Sequence, residues 1–200
     1  MKVGVVGAGV IGAGVGQLFA RAGWQVAVSG GHGPDRVAPV AANLGQGAEA
    51  VTVQEALAAG VVLLAVPWDA VEEVLRTAPL WEGRVLVDAT NAIKVYAPPR
   101  IEVHDFGNGT SSELVAQLAP GARVVKAFNH LPFGQLIAPV HPGERRASFL
   151  SGDDSEAKVG IAAVLAASGF APIDLGALHT GALLQQAGGP LASIDLRAAG

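Results

Sequence analysis

The residues whose types and spacing most clearly suggest chemistry are glycines near the beginning of the chain. They stand between a predicted buried strand at residues 3–6 and a predicted helix that ends near Gly23. In such a pattern the first glycine permits a tight turn, the second leaves room for a phosphate against the backbone, and the third lets the helix approach the strand. Free N–H groups at the start of the helix add a partial positive charge. The pattern therefore predicts a turn that binds the pyrophosphate of a dinucleotide, through Gly7, Ala8, Gly9, Val10, Ile11 and Gly12.

The end of the second predicted strand, at residues 24–28, bears on which dinucleotide binds. A cofactor without a 2′-phosphate is usually met by an Asp or Glu about 20 residues after the glycine motif. Gly30 stands at that point, so we expect NADP rather than NAD. The expected pocket for the 2′-phosphate consists of Ser29, Gly30, Gly31, His32 and Arg36. The alternative is that Asp35 turns inward and binds the ribose of NAD.

The carboxyl edge of the predicted sheet combines amide side chains with apolar ones. If the strands are parallel, the residues that follow them meet at this edge. Cofactor contacts are expected there from Val66, Pro67, Ala89, Asn91 and Lys126. Substrate contacts are expected from Trp68, Asn129, His130, Leu131 and Pro132. Lys126 is interpreted either as a cofactor contact or as an exposed residue at a strand end, and His130 either as a substrate contact or as a surface residue.

Strands and helices that could position these residues alternate along the chain. Predicted strands, rich in Val, Leu and Ala, lie at 3–6, 24–28, near 50, 61–66, 85–88, 123–128, 147–150 and 171–174. Predicted helices cover 34–44, 53–59 and 155–167, and a further helix begins at a capping box of Thr110 and Glu113 and reaches Leu118. Continuous apolar strands between helices indicate a parallel sheet covered on both faces.

The expected fold class is therefore α/β, a Rossmann-type doubly wound parallel sheet with a small C-terminal extension. We expect a single domain at residues 1–200, because no linker or repeat divides the chain. Residues 1–130 would form the dinucleotide-binding core, and residues 131–200 would form the extension that lines the substrate side.

Composition and charge narrow the range of partners. The chain has 13 basic and 17 acidic residues and no run of Lys or Arg, so nucleic acid is not an expected partner. It has no Cys, which excludes disulfides, thiolate catalysis and cysteine-based metal sites. Since no uninterrupted apolar run approaches the roughly 18 residues of a membrane span, we expect a cytoplasmic protein without membrane contact.

Two other pairs of ionisable residues are of the types that can bind a metal. His104-Asp105 is similar to part of a metal site, but no further His or Asp cluster completes a ligand set. Asp153-Asp154 precedes a predicted helix and is expected to cap it. We therefore expect no metal.

Several stretches of the sequence together carry a family resemblance. They are the glycine motif, Gly33-Pro34, Ala65-Val66-Pro67-Trp68, Asp88-Ala89-Thr90-Asn91, Val125-Lys126-Ala127-Phe128-Asn129, Ser151-Gly152-Asp153-Asp154, and Asp174 to Leu178. The chain resembles the deazaflavin (coenzyme F420)-dependent NADP oxidoreductase family and is also similar to the STEAP-type reductase domain. The resemblance implies NADP(H) across the carboxyl edge of the sheet, with a flat deazaflavin or a flavin (FMN or FAD) stacked beside the nicotinamide. The chain departs from the family at His32, where an Arg usually grips the 2′-phosphate, and at Ala182 and Gln185, which stand in place of Arg and Glu.

These observations predict an NADP(H)-dependent oxidoreductase that transfers a hydride between the nicotinamide and a flat, flavin-like acceptor. Such an acceptor takes a hydride directly, so the protein needs only to stack two rings with the reacting carbons about 3–3.5 Å apart and to exclude water. No catalytic side chain is expected. Alternative functions are a non-catalytic NADP-binding sensor or partner protein, and a reductase of free flavins or ferric chelates. The apolar segment at residues 183–196 predicts the contact of a homodimer.

Overall fold

The strands and helices alternate through most of the chain. The computed structural model describes residues 1–45, 47–98 and 100–199. Its strands are β1 (Lys2–Val6), β2 (Gln25–Ser29), β3 (Glu49–Ala50), β4 (Val61–Leu64), β5 (Val85–Asp88), β6 (Ile93–Ala97), β7 (Arg100–Val103), β8 (Arg123–Ala127), β9 (Glu144–Gly152), β10 (Phe170–Asp174) and β11 (Arg197–Ala199). Its α-helices are α1 (Val10–Arg21), α2 (Pro34–Leu44), α3 (Val53–Leu57), α4 (Val71–Arg76), α5 (Ser111–Leu118), α6 (Phe133–Leu136), α7 (Ser155–Ala167) and α8 (Leu178–Gln185). A single 3₁₀ turn, Trp68–Ala70, precedes α4.

The main sheet has the strand order β10-β9-β8-β5-β4-β1-β2-β3, and β11 pairs with β9. The run β3-β2-β1-β4-β5-β8 is parallel throughout. This order is that of a Rossmann fold, and it reverses between β1 and β4. The fold class predicted from the sequence is therefore confirmed.

The sheet buries apolar side chains on both of its faces, because every second residue of a strand points the same way. On one face Val5 packs in a cluster with Phe19 of α1 and Leu165 of α7. On the opposite face Leu64 packs in a cluster with Val115 of α5. The sheet is thus covered by helices on both sides, which is the doubly wound arrangement.

The extension joins the same sheet but changes its direction. β9 runs antiparallel to β8, whereas β10 runs parallel to β9. A parallel connection normally needs a crossover helix, and the segment between β8 and β9 contains only the single turn α6. The sequence pattern predicted that this strand extends the sheet, which is right, but strand–helix alternation does not specify its direction.

Helix starts follow the predicted capping chemistry. The Thr110 hydroxyl accepts from the Glu113 N–H at 3.0 Å, and the Glu113 carboxylate accepts from the Thr110 N–H at 2.7 Å. The Asp154 carboxylate accepts from the Ala157 N–H at 2.7 Å and caps α7. Both predicted caps are confirmed. The hairpin β6–β7, the helices α4, α6 and α8, and strand β11 were not predicted, because each is short and depends on tertiary contacts for its stability.

Helix length is also relevant to membrane insertion. Within residues 1–45, 47–98 and 100–199 no helix combines the length and apolar character that crossing a bilayer requires.

Candidate functional site

Two of the three motif glycines are required by the protein's own packing. Gly7, between β1 and α1, has φ +113°, and a Cβ there would lie 2.3 Å from the Ala65 carbonyl oxygen. A Cβ on Gly12 would lie 1.7 Å from the Gly7 carbonyl oxygen. A Cβ cannot lie this close to a carbonyl oxygen, so both positions require glycine. Gly7 makes the turn, and Gly12 lets α1 pack against it.

Gly9 is different, since nothing in the fold requires a glycine there. Its φ is −74°, which any residue adopts, and a Cβ would meet no heavy atom of the described residues within 4 Å. The free side of Gly9 faces outward at the start of α1. A bound group that lies against the backbone would explain the glycine, and the predicted pyrophosphate is such a group.

The start of α1 offers unpartnered donors to such a group. Gly9 is its N-cap residue, and no side chain in the described part of the chain caps it. The first turn holds Val10, which is exposed, and Ile11, which is half-buried, and it carries no acidic residue. The free N–H groups and the helix dipole therefore favour an anion at this position.

A cleft of about 500 Å³ adjoins this turn. It lies at the carboxyl ends of β1 and β4, where the strand order reverses. Nine residues that the sequence analysis assigned to cofactor binding line it together: Gly7, Ala8, Gly9, Gly30, Gly31, His32, Arg36, Val66 and Pro67. Residues separated by as many as 60 positions in the chain thus form one wall, which supports a shared ligand.

One side of the cleft carries the basic groups near the end of β2. His32 and Arg36 are exposed and line the cleft, and Arg36 rather than Asp35 faces it. The predicted contact from Ser29 is wrong, because its hydroxyl is fully buried and donates to the Val5 carbonyl oxygen at 3.0 Å. The hydroxyl holds β2 against β1 and does not reach a ligand.

The other lining of the cleft is apolar, and the sequence analysis missed it. The side chains are contributed by α2, α3, the 3₁₀ turn and α4, and they are Val37, Val40, Val53, Ala70 and Val74. A signal existed in α2, where Val37 and Val40 lie three residues apart and so share one face of the helix. Apolar walls of this kind suit a flat heterocycle such as adenine.

The remaining half of the carboxyl edge is built around a buried ion pair. Lys126 Nζ donates to Asp88 Oδ2 at 3.0 Å, and both side chains are fully buried. Ser112 Oγ donates to Asp88 Oδ2 at 2.6 Å, and Thr90 Oγ1 donates to Asp88 Oδ1 at 2.6 Å. Burial by itself would raise the pKa of Asp88, but the Lys126 ammonium and these hydrogen bonds outweigh it and hold that pKa below its usual value.

This ion pair corrects both interpretations of Lys126. The residue is neither exposed at a strand end nor directed at the cofactor, because Nζ is occupied by Asp88 and by the Thr90 carbonyl oxygen at 3.1 Å. Asp88 and Lys126 face each other in the register of β5 and β8. Their role is to fix the chain that leads from β5 into Asn91.

Above this pair lie three amide side chains that hydrogen-bond to one another. Asn91 Nδ2 donates to the Asn129 carbonyl oxygen at 2.9 Å, and Asn129 Nδ2 donates to Asn91 Oδ1 at 3.1 Å. Gln185 of α8 donates from Nε2 to Asn129 Oδ1 at 3.2 Å. Asn91 and Asn129 were predicted at this edge, whereas Gln185 was known only as a departure from the family pattern. No local signal marks its partners, which lie more than 50 residues away.

The other predicted residues at this edge have mixed positions. Ala89 is buried in the core beneath the edge. Trp68 is half-buried and meets Phe106 edge-on, with ring centroids 5.6 Å apart. Pro132 is exposed and is the N-cap residue of α6.

The predicted substrate contacts of His130 and Leu131 are wrong. Leu131 belongs to the buried core. The His130 ring is 2% exposed and lies 4.7 Å from the Phe149 ring, and neither ring nitrogen has a hydrogen-bond partner among the described residues. Burial lowers the pKa of His130 to about 4. The alternative interpretation as a surface residue is also wrong, since the antiparallel β9 covers this loop.

The described residues contain no group of three or more His, Cys, Asp or Glu side chains placed to hold a metal ion. His104 instead lies near Trp68, with ring centroids 6.3 Å apart.

A glycine turn and an uncapped helix start at the reversal point of a parallel sheet define a Rossmann-type dinucleotide-binding protein. Residues 2–92 match the model of a family described as NADP oxidoreductase, coenzyme F420-dependent. The predicted resemblance to this family of NADP-dependent oxidoreductases is confirmed over these residues.

Comparison with individual proteins agrees with this resemblance. The chain is 31% identical over 179 residues to metalloreductase STEAP3 of Rattus norvegicus, an alignment that takes in 88% of this chain and 34% of that protein. The chain therefore spans about a third of the length of this curated relative.

Two solved structures match over most of their length. The hypothetical protein SMa0349 from Sinorhizobium meliloti is 38% identical with a TM-score of 0.86, covering 98% of this chain and 93% of that one. A putative F420-dependent NADP-reductase from Arthrobacter sp. FB24 is 23% identical with a TM-score of 0.73, covering 89% and 86%. The second likeness shows the fold, including the extension.

Proposed function

We propose that the protein is an NADP(H)-dependent oxidoreductase that transfers a hydride between the nicotinamide and a flat, flavin-like acceptor, a deazaflavin or a flavin. The observation that carries the proposal is the cleft at the sheet reversal, which joins the glycine turn to His32 and Arg36. An uncapped helix start suits the pyrophosphate, and two basic side chains without an opposing carboxylate suit a 2′-phosphate.

The residues present fit NADP in three respects. Gly9 leaves its outer side open, so a pyrophosphate can lie against the backbone. Arg36 supplies a fixed positive charge and a forked donor set for the 2′-phosphate, while His32 supplies a ring nitrogen. The apolar side chains of Val37, Val40 and Val74 provide a wall for adenine.

With the adenosine half in this cleft, the residues at the carboxyl ends of β4, β5 and β8 would hold the nicotinamide half. NADPH bound in this way would supply the hydride. Asn91 is half-buried at this edge and offers an amide group that orients a ring without giving up a proton. The NH₂ group of Asn129 donates to Asn91 and to Gln185, and so holds Asn91 in place. Trp68 and Phe106 add aromatic surface beside it. A flavin-like acceptor accepts a hydride directly, so this edge needs to hold two rings in contact and to exclude water rather than to supply an acid.

The test is oxidation of NADPH, followed by its absorbance, with a deazaflavin, FMN, FAD, a ferric chelate or no acceptor. We expect fast turnover with at least one of the flavin-like acceptors. The similarity to a metalloreductase favours a second candidate, reduction of a ferric chelate through a free flavin. Tight NADPH binding without turnover in any mixture would instead favour the non-catalytic sensor.

We also propose that residues 1–130 act as the cofactor core and residues 131–200 as the substrate-side extension of one unit, and that this unit forms a homodimer. Leu183, Leu184, Ile194 and Leu196 in the extension are each 36–43% exposed, which supports an apolar contact there. Light scattering that gives a monomer mass at micromolar concentration with NADP would contradict the dimer. A cytoplasmic location is proposed as well, and microscopy of a fluorescent fusion tests it.

A further inference from the structure

Gln185, the last residue of α8, connects the C-terminal extension to the carboxyl edge of the main sheet. Its side chain is fully buried. Nε2 donates to the Lys126 carbonyl oxygen at 3.0 Å and to Asn129 Oδ1 at 3.2 Å. These two acceptors lie on either side of Phe128 in the chain, so one amide group spans that residue.

Phe128 adopts a backbone conformation that a bulky residue rarely takes. Its φ is +63°, in the left-handed region, and its side chain is fully buried. Such a conformation is unfavourable without glycine and persists only where surrounding contacts impose it. The turn redirects the chain at the end of β8, so that Asn129 reaches Asn91 beyond the neighbouring strand β5.

The orientation of each amide in this cluster is fixed by a carbonyl that can only accept. Gln185 Nε2 donates to the Lys126 carbonyl oxygen, Asn129 Nδ2 donates to the Gln185 carbonyl oxygen at 2.8 Å, and Asn91 Nδ2 donates to the Asn129 carbonyl oxygen. These contacts fix which end of each amide is the nitrogen, and they connect α8 through Asn129 to Asn91.

We infer that Gln185 is a positioning residue that holds the left-handed turn at Phe128 and, through Asn129, presents Asn91 to the nicotinamide half of the cofactor. The inference rests on the proposed function, which places that half at this edge. A glutamine is needed because its terminal NH₂ donates twice, whereas a carboxylate of the same size donates nothing. The adenosine half lies at the other end of the cleft and does not depend on Gln185.

The experiment compares the Kd of NADPH with that of adenosine 2′,5′-bisphosphate, a fragment that contains only the adenosine half. In Gln185→Leu we expect the Kd of NADPH to rise about tenfold, the size of one lost hydrogen bond, with the fragment changed by less than about twofold. The fluorescence of bound NADPH should fall as well, because the nicotinamide ring is held less firmly.

Gln186→Leu is the matched control. Gln186 Oε1 accepts from the Ser111 N–H at 3.1 Å, so it ties the same end of α8 to α5 without contact to Asn129. Its loss should leave both Kd values unchanged. Gln185→Glu keeps the size of the side chain but loses both donated bonds, and it should resemble Gln185→Leu.

Three outcomes would overturn the inference: unchanged Kd values in both Gln185 variants, an equal rise for NADPH and the fragment, or the same effect in Gln186→Leu. If Gln185→Leu does not fold, the test is to compare the NADPH affinity of Asn129→Ala with that of the Gln185→Glu/Asn129→Ala double variant. The double variant should lose no more NADPH affinity than Asn129→Ala, and an additive loss would contradict action through Asn129. Failure of the parent protein to bind the fragment would contradict the proposed function instead.

Discussion

The two halves of the carboxyl edge are constructed in different ways. The proposed adenosine side consists of backbone turns and apolar walls, and its polar side chains, His32 and Arg36, are exposed. The proposed nicotinamide side rests on buried polar groups, namely the Asp88–Lys126 ion pair and the amides of Asn129 and Gln185. The first construction tolerates change in single side chains, whereas the second leaves a partner unsatisfied whenever one member is removed. The comparison predicts that surface mutations on the first side affect binding alone, whereas mutations of the buried polar groups on the second side also affect stability.

The largest effect is expected from Lys126→Met, which leaves the Asp88 carboxylate buried without its cation. The free energy of unfolding should fall by about 3–5 kcal/mol, as it does when one partner of a buried ion pair is removed. Urea denaturation followed by circular dichroism measures this. Lys126→Met with Asp88→Leu should recover part of the loss, and a loss below about 1 kcal/mol in the single variant would show that water reaches the pair.

On the adenosine side, Gly9→Val should leave the fold intact and weaken NADP binding by about 100-fold or more, or roughly 3 kcal/mol. The reason is that a side chain at Gly9 meets open space that the pyrophosphate needs, as its negative φ and free Cβ position show. Isothermal calorimetry measures the affinity. Gly160→Val, at another open position on the exposed side of α7, is the control and should bind normally. Gly12→Val should unfold the protein instead. Unchanged affinity in Gly9→Val would contradict the hypothesis that the pyrophosphate lies against Gly9.

A smaller effect is expected at the 2′-phosphate. Gly30→Asp places a carboxylate near it and should shift preference from NADP toward NAD by about 2 kcal/mol, since like charges at close range repel. A Cβ at Gly30 lies 3.1 Å from Val37 Cγ2, so Gly30→Asn controls for the crowding. Arg36→Ala should weaken the free energy of NADP binding by about 1.5 kcal/mol, and His32→Ala should weaken it by about 1 kcal/mol. Kd values for both dinucleotides test the series, and a parent protein that prefers NAD would contradict the interpretation of this loop.

The smallest effect, taken per pH unit, is expected from His130, which should make the stability of the protein depend on pH. Its pKa is about 4 in the folded protein, against about 6.5 in the unfolded chain, because burial outweighs the opposing effects of the Ala147 backbone and of Asp195. The unfolded chain therefore binds the proton first, and stability that is present above about pH 6.5 should be lost toward pH 4, by about 1 kcal/mol per pH unit. His130→Phe keeps a ring beside Phe149 and should flatten this part of the profile. Asp88, with its lowered pKa, adds a further loss only at more acidic pH. Equal slopes for parent and variant would contradict the role of His130.

Much of the fold could be predicted because its signals are local. The helix Pro34–Leu44 begins at a Pro in its first turn and is followed by Gly45, and the predicted bounds agree with the structure. The capping box of Thr110 and Glu113 fixed the start of α5 in the same way. The glycine turn was predicted with the separate roles of Gly7 and Gly12, because each follows from backbone geometry within a few residues.

The sequence by itself therefore determined the Rossmann class, the glycine turn and the basic residues beside it. Only the tertiary structure decided that β9 runs antiparallel, that Lys126 and His130 are buried, and that Gln185 reaches Asn129. Capping, turns and periodicity depend on neighbours along the chain, whereas the partner of a buried polar group depends on which strands lie side by side. Asp88 and Lys126 are 38 residues apart, and Lys126 and Gln185 are 59 apart. Such contacts are fixed by the order of strands in the sheet, which no short stretch of sequence contains.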